Sequence, residues 1–471
     1  MSWAVWEEET IEFLKKSKLL RSLNPLFVED EDMIDMIDDT NDSNDTNDTN
    51  HNDNSLFDPI HAKVDSETYE KWINNDLDNI VVVVNDDGQK TKPKTKTKNV
   101  TLFSSNDYLG LSCNAHVRRA FANAALKIGT GFRASQLIAG YTNWHRSLEQ
   151  KLAFLERKEG CILFPTGFAA NTSVLQTLAE SIASQSKINE LSDNNNNKND
   201  VEIFSDALNH ASIVDGCRLA KAKVTIFKHL NYDDLEEKLR ESTTRKKIIV
   251  TDALFSIDGD VADLKRLAQM KKKYPCLLVV DEAHSTLVFG EFGGGLAEAQ
   301  GVQKDVDITI GTLSKAVGAH GGFVCCSNAM KSIILSRGRG QIYSTSLPTP
   351  IVIAAIQALN VALKNPKLAS DLWKNTHYFH NVVLNEHKAI VRTRGGDSHI
   401  VPIFCGDERT ALSVAKHLLM RGIHAPAIRP PTVPQNQCVI RIAINAMHTS
   451  EDLDDLGDAL RAAFLKLTSR L

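Results

Sequence analysis

Short apolar runs alternate with helix-length segments over most of the chain after residue 100, and this alternation is its main structural signal. The runs, rich in β-branched residues, are CILF (161–164), VEIF (201–204), VTIF (224–227), KIIVTD (247–252), CLLVVDE (276–282), VDITIGT (306–312) and GGFVCC (321–326). Continuous apolar runs that alternate with helices are typical of parallel strands buried on both faces. The pattern therefore predicts an α/β fold with a mostly parallel sheet.

The segments outside these runs predict how the chain is divided into domains. Residues 3–23 have the helical spacing of apolar side chains, whereas the polar, low-complexity tract 38–54 cannot bury enough apolar surface to become ordered. After Pro348, an Ala-rich helical segment and then mixed strand and helix patterns predict a second, α+β domain. The predicted divisions are an N-terminal helical segment (1–28), a partly disordered acidic insertion and linker (29–98), a large domain (99–347) and a small C-terminal domain (348–471).

Composition and charge exclude several classes of protein. Hydrophobic residues make up 42% of the 471 residues and charged residues 24%, a globular balance, and no apolar run approaches the roughly 18 residues of a membrane span. The net charge is −5, but eleven acidic residues lie in 29–53 and the basic residues are dispersed, so we expect no nucleic-acid partner. The eight cysteines lack CxxC spacing, which argues against a zinc site or a disulfide framework, and we expect no bound metal.

The two ends of the chain carry different targeting information. Residues 7–9 are all glutamate where a signal or transit peptide would have basic residues, so we expect no N-terminal export signal. The chain ends in Ser469-Arg470-Leu471, a variant of the SKL tripeptide that the peroxisomal import receptor binds. A frayed helix end is the competing interpretation of these three residues, so the prediction is a peroxisomal protein, or otherwise a cytosolic one.

Five of the predicted strands are followed at once by polar side chains. The segments are PTGFAAN (165–171), SDALNHAS (205–212), SIDGD (256–260), DEAH (281–284) and TLSK (312–315). Parallel strands gather ligands beyond their carboxyl ends, so a lysine, two histidines, an aspartate and several hydroxyls are expected to converge. Any one of these segments alone could be an ordinary loop with helix caps, but the five together predict a catalytic site.

An ordered set of motifs resembles a known family of enzymes. The segments are SNDYLGL (105–111), PTGFAAN (165–171), NHASI (209–213), FSIDGD (255–260), VVDEAH (279–284), GTLSKAVGAHGGF (311–323) and IYSTSLP (342–348). Together they resemble the α-oxoamine synthases, which are acyltransferases that use pyridoxal phosphate and have the aspartate-aminotransferase type of fold (fold type I). The resemblance covers about residues 100–471 and implies that the large domain binds pyridoxal 5′-phosphate.

The resemblance also implies which residues hold the ring of the cofactor. A lysine is a poor nucleophile at neutral pH, but a desolvated one can form a Schiff base with an aldehyde, and Lys315 matches that residue. Asp281 matches the carboxylate that keeps the ring nitrogen protonated, which lets the ring accept electrons. His210 matches the residue that stacks on the ring, while His284 and Ser256 match the residues that contact its phenolic oxygen.

The phosphate of the cofactor is expected to lie at the start of a helix. Gly167 and Phe168 follow a predicted strand, so their backbone N–H groups and the helix dipole can receive a dianion. By resemblance, Thr312 adds a hydroxyl. Ser344 and Thr345 match residues through which the partner subunit of a homodimer reaches the phosphate.

The C-terminal segments bear on the substrates. AIRPPTVP (427–434) and VIRIAINAMHTSEDLDDL (439–456) resemble those members of the family that condense L-alanine with pimeloyl-CoA, with loss of CO2, in biotin biosynthesis. The resemblance implies that Arg429 binds the amino-acid carboxylate, that Thr432 contacts substrate and that Arg21 approaches the acyl chain. Lys315 is then the natural base for the α-proton of the amino acid.

Two other functions within reach of the family stay open. Glycine C-acetyltransferase, 5-aminolevulinate synthase and serine palmitoyltransferase share the cofactor machinery, and one methyl group of the amino acid is worth only about 1–3 kcal/mol in a pocket. A cofactor-free scaffold subunit is the alternative from another class, but such a subunit is expected to lack the lysine that is present here as Lys315.

Two motifs suggest unrelated functions. GTGFRASQLIAGY (129–141) contains G-x-G-x-x-A, but it follows a helical segment rather than the strand that a dinucleotide-binding turn requires. In the same stretch Phe132, Arg133 and Ala134 interrupt a run that is richer in glycine in the family, which puts its substrate contacts in doubt. DEAH suggests an RNA helicase, but such a motor needs a Gly-Lys pair in its P-loop and the sequence contains none.

Overall fold

The computed structural model describes residues 60–65, 69, 97–190 and 201–468. The predicted N-terminal helix, the acidic tract, Arg21 and the terminal tripeptide 469–471 lie outside the described residues. Within the described part, no helix is long and apolar enough to cross a membrane.

The strands of the described chain form three sheets. They are β1 (His61–Asp65), β2 (Thr97–Leu102), β3 (Gly160–Phe164), β4 (Val201–Asp206), β5 (Lys223–Phe227), β6 (Lys246–Asp252), β7 (Leu277–Asp281), β8 (Ile308–Thr312), β9 (Gly322–Cys326), β10 (Ile400–Gly406), β11 (Ile423–His424), β12 (Ala427–Ile428) and β13 (Cys438–Ala443). The central sheet has seven strands in the order β3-β9-β8-β7-β6-β4-β5, and β9 alone runs antiparallel to the other six. All seven strands that the apolar runs predicted are therefore confirmed.

The helices follow the strands in the order that the alternation predicted. They are α1 (Ala115–Ile128), α2 (Asn143–Leu155), α3 (Gly167–Glu190), α4 (Ala211–Ala220), α5 (Tyr232–Glu241), α6 (Leu264–Lys273), α7 (Gly295–Ala299), α8 (Asn328–Arg337), α9 (Arg339–Ile342), α10 (Thr349–Lys364), α11 (Lys367–Tyr378), α12 (Asn385–His387), α13 (Glu408–Met420) and α14 (Ser450–Thr468). Short 3₁₀ and π segments lie at Leu111–Cys113, Gln136–Gly140 and Phe379–Leu384.

Apart from its exposed edge strand β5, the central sheet is buried on both faces, which explains why most of its strands are largely apolar. Val279 of β7 packs in one cluster with α3 and α4, whereas its neighbours Leu278 and Val280 pack in a second cluster with α5 and α6. Successive side chains of a strand point to opposite faces, so a sheet covered by helices on both faces needs apolar residues at every position. This arrangement leaves the loops at the carboxyl ends of the strands free to carry polar groups.

Contacts divide the chain into two compact units. The larger unit consists of Phe103–Phe404 and Arg441–Gly457 and contains the whole central sheet. The smaller unit combines the described residues up to Leu102 with Cys405–Ile440 and the end of α14, and it contains the sheet β1-β2-β11. The domain boundary at residue 348, which rests on sequence pattern, stays a prediction.

Candidate active site

Lys315 and His284 meet at the carboxyl ends of the central strands. Lys315 lies in the turn after β8 and His284 in the loop after β7, and their atoms Nζ and Nε2 are 2.6 Å apart. Burial lowers the pKa of Lys315 to about 8, although the charges of Asp281 and Asp252 oppose this shift. A neutral amine is the form that attacks an aldehyde or takes a proton, so the reactive form of Lys315 is far more populated near neutral pH than that of an ordinary lysine.

A chain of hydrogen bonds runs from Lys315 to an arginine. Nδ1 of His284 lies 2.7 Å from the hydroxyl of Tyr108, which is also 3.1 Å from Oδ1 of Asn106. Arg441 donates from Nη2 to the same Oδ1 at 3.1 Å. Burial raises the pKa of Tyr108, so its hydroxyl keeps its proton.

The ring of His284 is neutral in this network. Burial and the neighbouring charge of Lys315 lower the pKa of His284 well below its ordinary value. A neutral imidazole donates from one nitrogen and accepts at the other. When Lys315 donates to Nε2, the proton of the ring is therefore on Nδ1 and is donated to the oxygen of Tyr108.

Asp281 is the last residue of β7 and is fixed from two sides. Its Oδ2 accepts a hydrogen bond from Nδ2 of Asn171 at 2.6 Å, and its Oδ1 accepts from the backbone N–H of Ala283 at 2.9 Å. Asn171 also donates to Ser212 at 2.9 Å, while its own Oδ1, which is buried, has no hydrogen-bond partner in the described chain. Asp281 is 5% exposed, so its carboxylate is held in one orientation inside the site.

His210 lies in front of α4, with its side chain exposed. Its Nδ1 is 2.7 Å from the hydroxyl of Ser212 and accepts the N–H of Ser212 at 3.2 Å, so the ring caps the helix. Its own backbone N–H donates to Oδ2 of Asp252 at 2.7 Å. Asp252 is the last residue of β6 and pairs in register with Asp281. Burial, followed by the charge of Asp281, raises the pKa of Asp252 well above its ordinary value.

The start of α3 forms a close-fitting cradle beside β8. A side-chain carbon added at Gly167 would come within 3.3 Å of Cβ of Thr312, so the backbone approaches this strand end closely. The hydroxyl of Thr312 donates to the carbonyl of Gly321 at 2.9 Å and lies 2.8 Å from that of Ser314. The first N–H groups of a long helix and a hydroxyl at its side suit a phosphate. Phe168 follows Gly167 in this first turn and is 46% exposed.

The segment around Ser344 runs beside the stretch that departs from the family pattern. Thr345 forms an antiparallel bridge with Ser135, and the N–H of Ser346 donates to the carbonyl of Ala134 at 3.0 Å. Thr345 is exposed and Ser344 is half-buried. Their predicted contacts with the cofactor of a partner subunit stay predictions.

The predicted substrate residues of the C-terminal segment belong to the smaller unit. Arg429 forms an ion pair with Glu408, and the N–H of Thr432 donates to the carbonyl of Arg429 at 3.0 Å. Their predicted roles toward the substrate also stay predictions. Ser256 lies in the larger unit, where its carbonyl accepts from Nε of Arg441 at 2.6 Å.

Sequence reasoning assigned no role to four residues that the structure brings to this site. They are Asn106, Tyr108, Asp252 and Arg441. Arg441 had a signal, because it interrupts the apolar run VIRIA and is only 7% exposed, and a charge buried in a strand needs a reason. Asp252 had one too, because it ends an apolar strand in the same way as Asp281.

The residues present fit pyridoxal phosphate. Lys315 can hold the aldehyde carbon, Asp281 offers a fixed carboxylate for the ring nitrogen, and the cradle at Gly167 suits the phosphate. No group of three or more potential metal ligands occurs in the part of the chain that the structure describes.

Comparison with known proteins identifies the family. The pattern of the aminotransferase class I and II family matches residues 98–460. The 8-amino-7-oxononanoate synthase of Arabidopsis thaliana is 39% identical over 469 residues, which cover 98% of this chain and 95% of that protein. The protein of the same name from Lysinibacillus sphaericus is 37% identical over 368 residues, covering 78% and 89% of the two chains.

Solved structures agree with this assignment. A variant of the serine palmitoyltransferase of S. paucimobilis, with a bound adduct of pyridoxal phosphate and myriocin, superposes with a TM-score of 0.72 at 28% identity over 79% of this chain and 89% of its own. The 8-amino-7-oxononanoate synthase of Francisella tularensis gives a TM-score of 0.65 at 25% identity over 79% and 98% of the chains. The predicted fold type I is thereby confirmed, and so is pyridoxal phosphate as the cofactor. The chain belongs to the 8-amino-7-oxononanoate synthases, within the class I and II aminotransferase family of pyridoxal-phosphate enzymes.

Proposed function

We propose that the protein condenses L-alanine with pimeloyl-CoA, or with another pimeloyl thioester, to give 8-amino-7-oxononanoate, CoA and CO2. The observation that carries the proposal is the continuous network from Lys315 to Arg441, which runs through His284, Tyr108 and Asn106. It supplies a base and a cation for the carboxylate of an amino acid in one cluster. The relatives of the same name, at 37–39% identity, support these substrates.

Arg441 is suited to hold the carboxylate of the amino acid. Its guanidinium is anchored at Nε by Ser256 and at Nη2 by Asn106, which leaves further N–H groups of the planar fork for a ligand. A guanidinium binds a carboxylate bidentately, so it can orient the Cα–H bond as well as attract the charge. The predicted role of Arg429 is the competing assignment.

Lys315 is suited to take the α-proton of the amino acid at Nζ. Bound pyridoxal phosphate supplies an aldehyde that condenses with amines and a protonated ring that accepts the electrons released at Cα. Asp281 keeps the proton on the ring nitrogen. His284 receives a hydrogen bond from Nζ of Lys315, so it directs the amine while leaving it neutral.

A sister reaction is the second candidate. The serine palmitoyltransferase structures superpose with a TM-score of 0.72, above the 0.65 of the oxononanoate synthase structure. That reaction would use L-serine and a long-chain acyl thioester on the same lysine. The higher sequence identity over most of the chain favours the alanine reaction.

Thiol release separates the two candidates. Purified protein loaded with pyridoxal phosphate is given L-alanine and pimeloyl-CoA, and parallel samples receive glycine with acetyl-CoA or succinyl-CoA, or L-serine with palmitoyl-CoA. Release of CoA with the alanine pair, and a product of the mass of 8-amino-7-oxononanoate, support the proposal. Release only with another pair would contradict it and would assign the protein to a sister reaction.

A homodimer is part of the proposal. The exposed apolar side chains of Phe132, Ile138 and Tyr343, which are 61%, 82% and 72% exposed, support an apolar contact with a second copy. Thr345 in the same segment would then reach the phosphate of the partner's cofactor. Light scattering should give twice the mass of the chain, and Ile138→Asp should lower both this mass and the retention of cofactor. A fully active monomer would contradict the dimer.

A peroxisomal location rests on the terminal residues Ser469-Arg470-Leu471. A fluorescent protein fused to the N-terminus should give puncta that contain peroxisomal markers, whereas a C-terminal fusion should stay cytosolic. Diffuse fluorescence from the N-terminal fusion would contradict this location.

A further inference from the structure

His229 lies between two carboxylates that come from different loops. Its Nδ1 is 2.9 Å from Oδ1 of Asp206, the last residue of β4, and its Nε2 is 3.2 Å from Oδ2 of Asp260. The histidine side chain is 21% exposed and that of Asp206 is 1% exposed, so the first of these contacts is shielded from water. Both ring nitrogens are used, which is the arrangement of an imidazolium that donates twice.

Asp206 fixes the turn that leads to His210. Its Oδ1 also accepts the backbone N–H of Leu208 at 2.8 Å, and its Oδ2 accepts that of Leu230 at 2.9 Å. The same turn ends in His210, the predicted stacking residue of the cofactor ring. His229 together with Asp206 and Asp260 is called the His229 clamp below. The Asp206 side of this clamp therefore holds the loop that carries His210.

Asp260 belongs to a tight hairpin, residues 254–261, that carries Ser256. Leu254 and Val261 form an antiparallel bridge at its base. Within it the N–H of Phe255 donates to the carbonyl of Asp260 at 2.9 Å. The ring of Phe255 packs edge-on against His229, with ring centroids 4.4 Å apart. The other side of the clamp therefore holds the hairpin.

The hairpin in turn orients Arg441. The carbonyl of Ser256 accepts from Nε of Arg441 at 2.6 Å, which fixes the plane of the guanidinium. The hairpin is short and packs closely, because a side-chain carbon at Gly259, where φ is +68°, would come within 2.1 Å of the carbonyl of Ile400. Ser256 and Asp260 lie in the same hairpin, so a displacement of Asp260 on loss of the His229 contacts is expected to reach the bond between Ser256 and Arg441.

We propose that His229 is a positioning residue that ties the loop of His210 to the hairpin of Ser256 and thereby holds Arg441 in the plane that binds the amino-acid carboxylate. The last part rests on the proposed function, in which Arg441 binds that carboxylate. His229 itself is expected to touch neither substrate nor cofactor. It acts only through the two loops that it joins.

The test compares His229→Gln with a control that weakens the fold elsewhere. Ser327→Ala removes the N-cap of α8, whose hydroxyl accepts the N–H of Met330, and leaves both loops untouched. Backbone hydrogen exchange is measured at Phe255 and Gly259 in the protein loaded with pyridoxal phosphate. We expect faster exchange at both amides in His229→Gln and the wild-type rate in Ser327→Ala. Unchanged exchange in His229→Gln would overturn the clamp.

The effect of His229 on substrate binding is tested by titrating each protein with L-alanine alone and following the visible absorbance of the bound cofactor. We expect a dissociation constant raised about tenfold in His229→Gln, since small displacements of a positioning group carry such penalties, while KM for the acyl thioester stays near the wild-type value. An unchanged dissociation constant for L-alanine would overturn the positioning role of His229. So would an equal rise in this constant and in KM for the acyl thioester.

Asp260→Asn is the second variant, in case His229→Gln folds poorly. It removes the charge from the exposed end of the clamp and keeps an acceptor, so we expect the same changes at a smaller size. Failure of the proposed function is a separate result, because it appears as missing thiol release in the wild type. The exchange rates at Phe255 and Gly259 decide the clamp in either case.

Discussion

Glu202, the second residue of β4, and Asp252, the last residue of β6, are both buried carboxylates of the central sheet, yet their surroundings differ. Burial alone would raise the pKa of Glu202, but hydrogen bonds from Ser242, Thr225 and other partners lower it to about 2. Asp252 accepts the N–H of His210 and lies beside the charge of Asp281, so its pKa is raised well above its ordinary value.

The difference separates a structural charge from a functional one. At the amino end of β4, the partners of Glu202 satisfy its charge, and this stabilises the fold. At the carboxyl ends of the strands, Asp252 and Asp281 lie side by side near Lys315. The repulsion between the two carboxyl groups destabilises the fold unless a bound ligand interacts with them. Two carboxyl groups placed side by side in this way mark the end of the sheet where the chemistry takes place.

The largest effect on turnover is expected from Lys315→Ala, which removes the reacting amine at the carboxyl end of β8. Turnover should fall by at least about a thousandfold, because both the covalent link to the cofactor and the base are lost. Release of CoA thiol measures this loss. Lys331→Ala is the matched control, since Lys331 is also a half-buried lysine but pairs with Glu149. Similar losses in both variants would break the comparison between reactive and structural charges.

The next effect concerns the two candidate arginines for the carboxylate. Arg441→Lys should raise KM for L-alanine by about ten- to a hundredfold, because an ammonium cannot replace the planar fork that Ser256 and Asn106 orient. Arg429→Lys should leave this KM within about twofold of the wild type, while a reversed pattern would assign the carboxylate to Arg429. Steady-state kinetics with varied L-alanine measure both values.

Asp252→Asn and Glu202→Gln test the difference between the two buried carboxylates directly. Asp252→Asn keeps an acceptor for the N–H of His210 but removes the charge, so turnover should fall about tenfold with little change in stability. Glu202→Gln should leave turnover per folded molecule unchanged but lower the free energy of unfolding at pH 7 by about 3 kcal/mol. Kinetics and denaturant unfolding measure the pair, and a stability loss confined to Asp252→Asn would contradict the assignment.

The smallest effect is the pH dependence of the His229 clamp. Burial alone would lower the pKa of His229, but Asp206 and Asp260 raise it to about 9. Asp258 and its partner Arg394 are the other charged groups nearby. Since the folded value lies above the ordinary 6.5, the stabilisation is complete below pH 6.5 and is lost as the pH rises through about 9.

Denaturant unfolding from pH 6 to pH 10 tests this sign. The difference in unfolding free energy between the wild type and His229→Gln should shrink by on the order of 2 kcal/mol over that range. A difference that grows with pH would contradict an imidazolium between the two carboxylates.

The sequence predicted the sheet because burial on both faces leaves a strong pattern. Most of the central strands are apolar runs, although β4 contains Glu202 and the edge strand β5 is exposed. The polar residues that follow the strands, such as Lys315 and His284, meet as expected. Gly167 could be placed for the same reason, since a helix that starts after a buried strand has a fixed relation to the sheet.

The rest of the site could not be predicted because it depends on contacts between distant parts of the chain. Asn106 and Arg441 are 335 positions apart, and no local pattern shows that they share a hydrogen bond. Tyr108 lies in a recognised motif, but its partner His284 is 176 positions away. His229 precedes a helix in an ordinary loop, and only the fold brings Asp206 and Asp260 to its two nitrogens.

Exchange of the α-proton of L-alanine in heavy water, without any acyl substrate, tests the role of Lys315 most directly. The proton signal at Cα is followed by NMR for the wild type, Lys315→Ala and Glu202→Gln, each incubated with pyridoxal phosphate. We expect exchange by the wild type and by Glu202→Gln, and a rate at least about a thousandfold lower for Lys315→Ala. Exchange at the wild-type rate in Lys315→Ala would contradict the claim that the amine at the carboxyl end of β8 performs the chemistry.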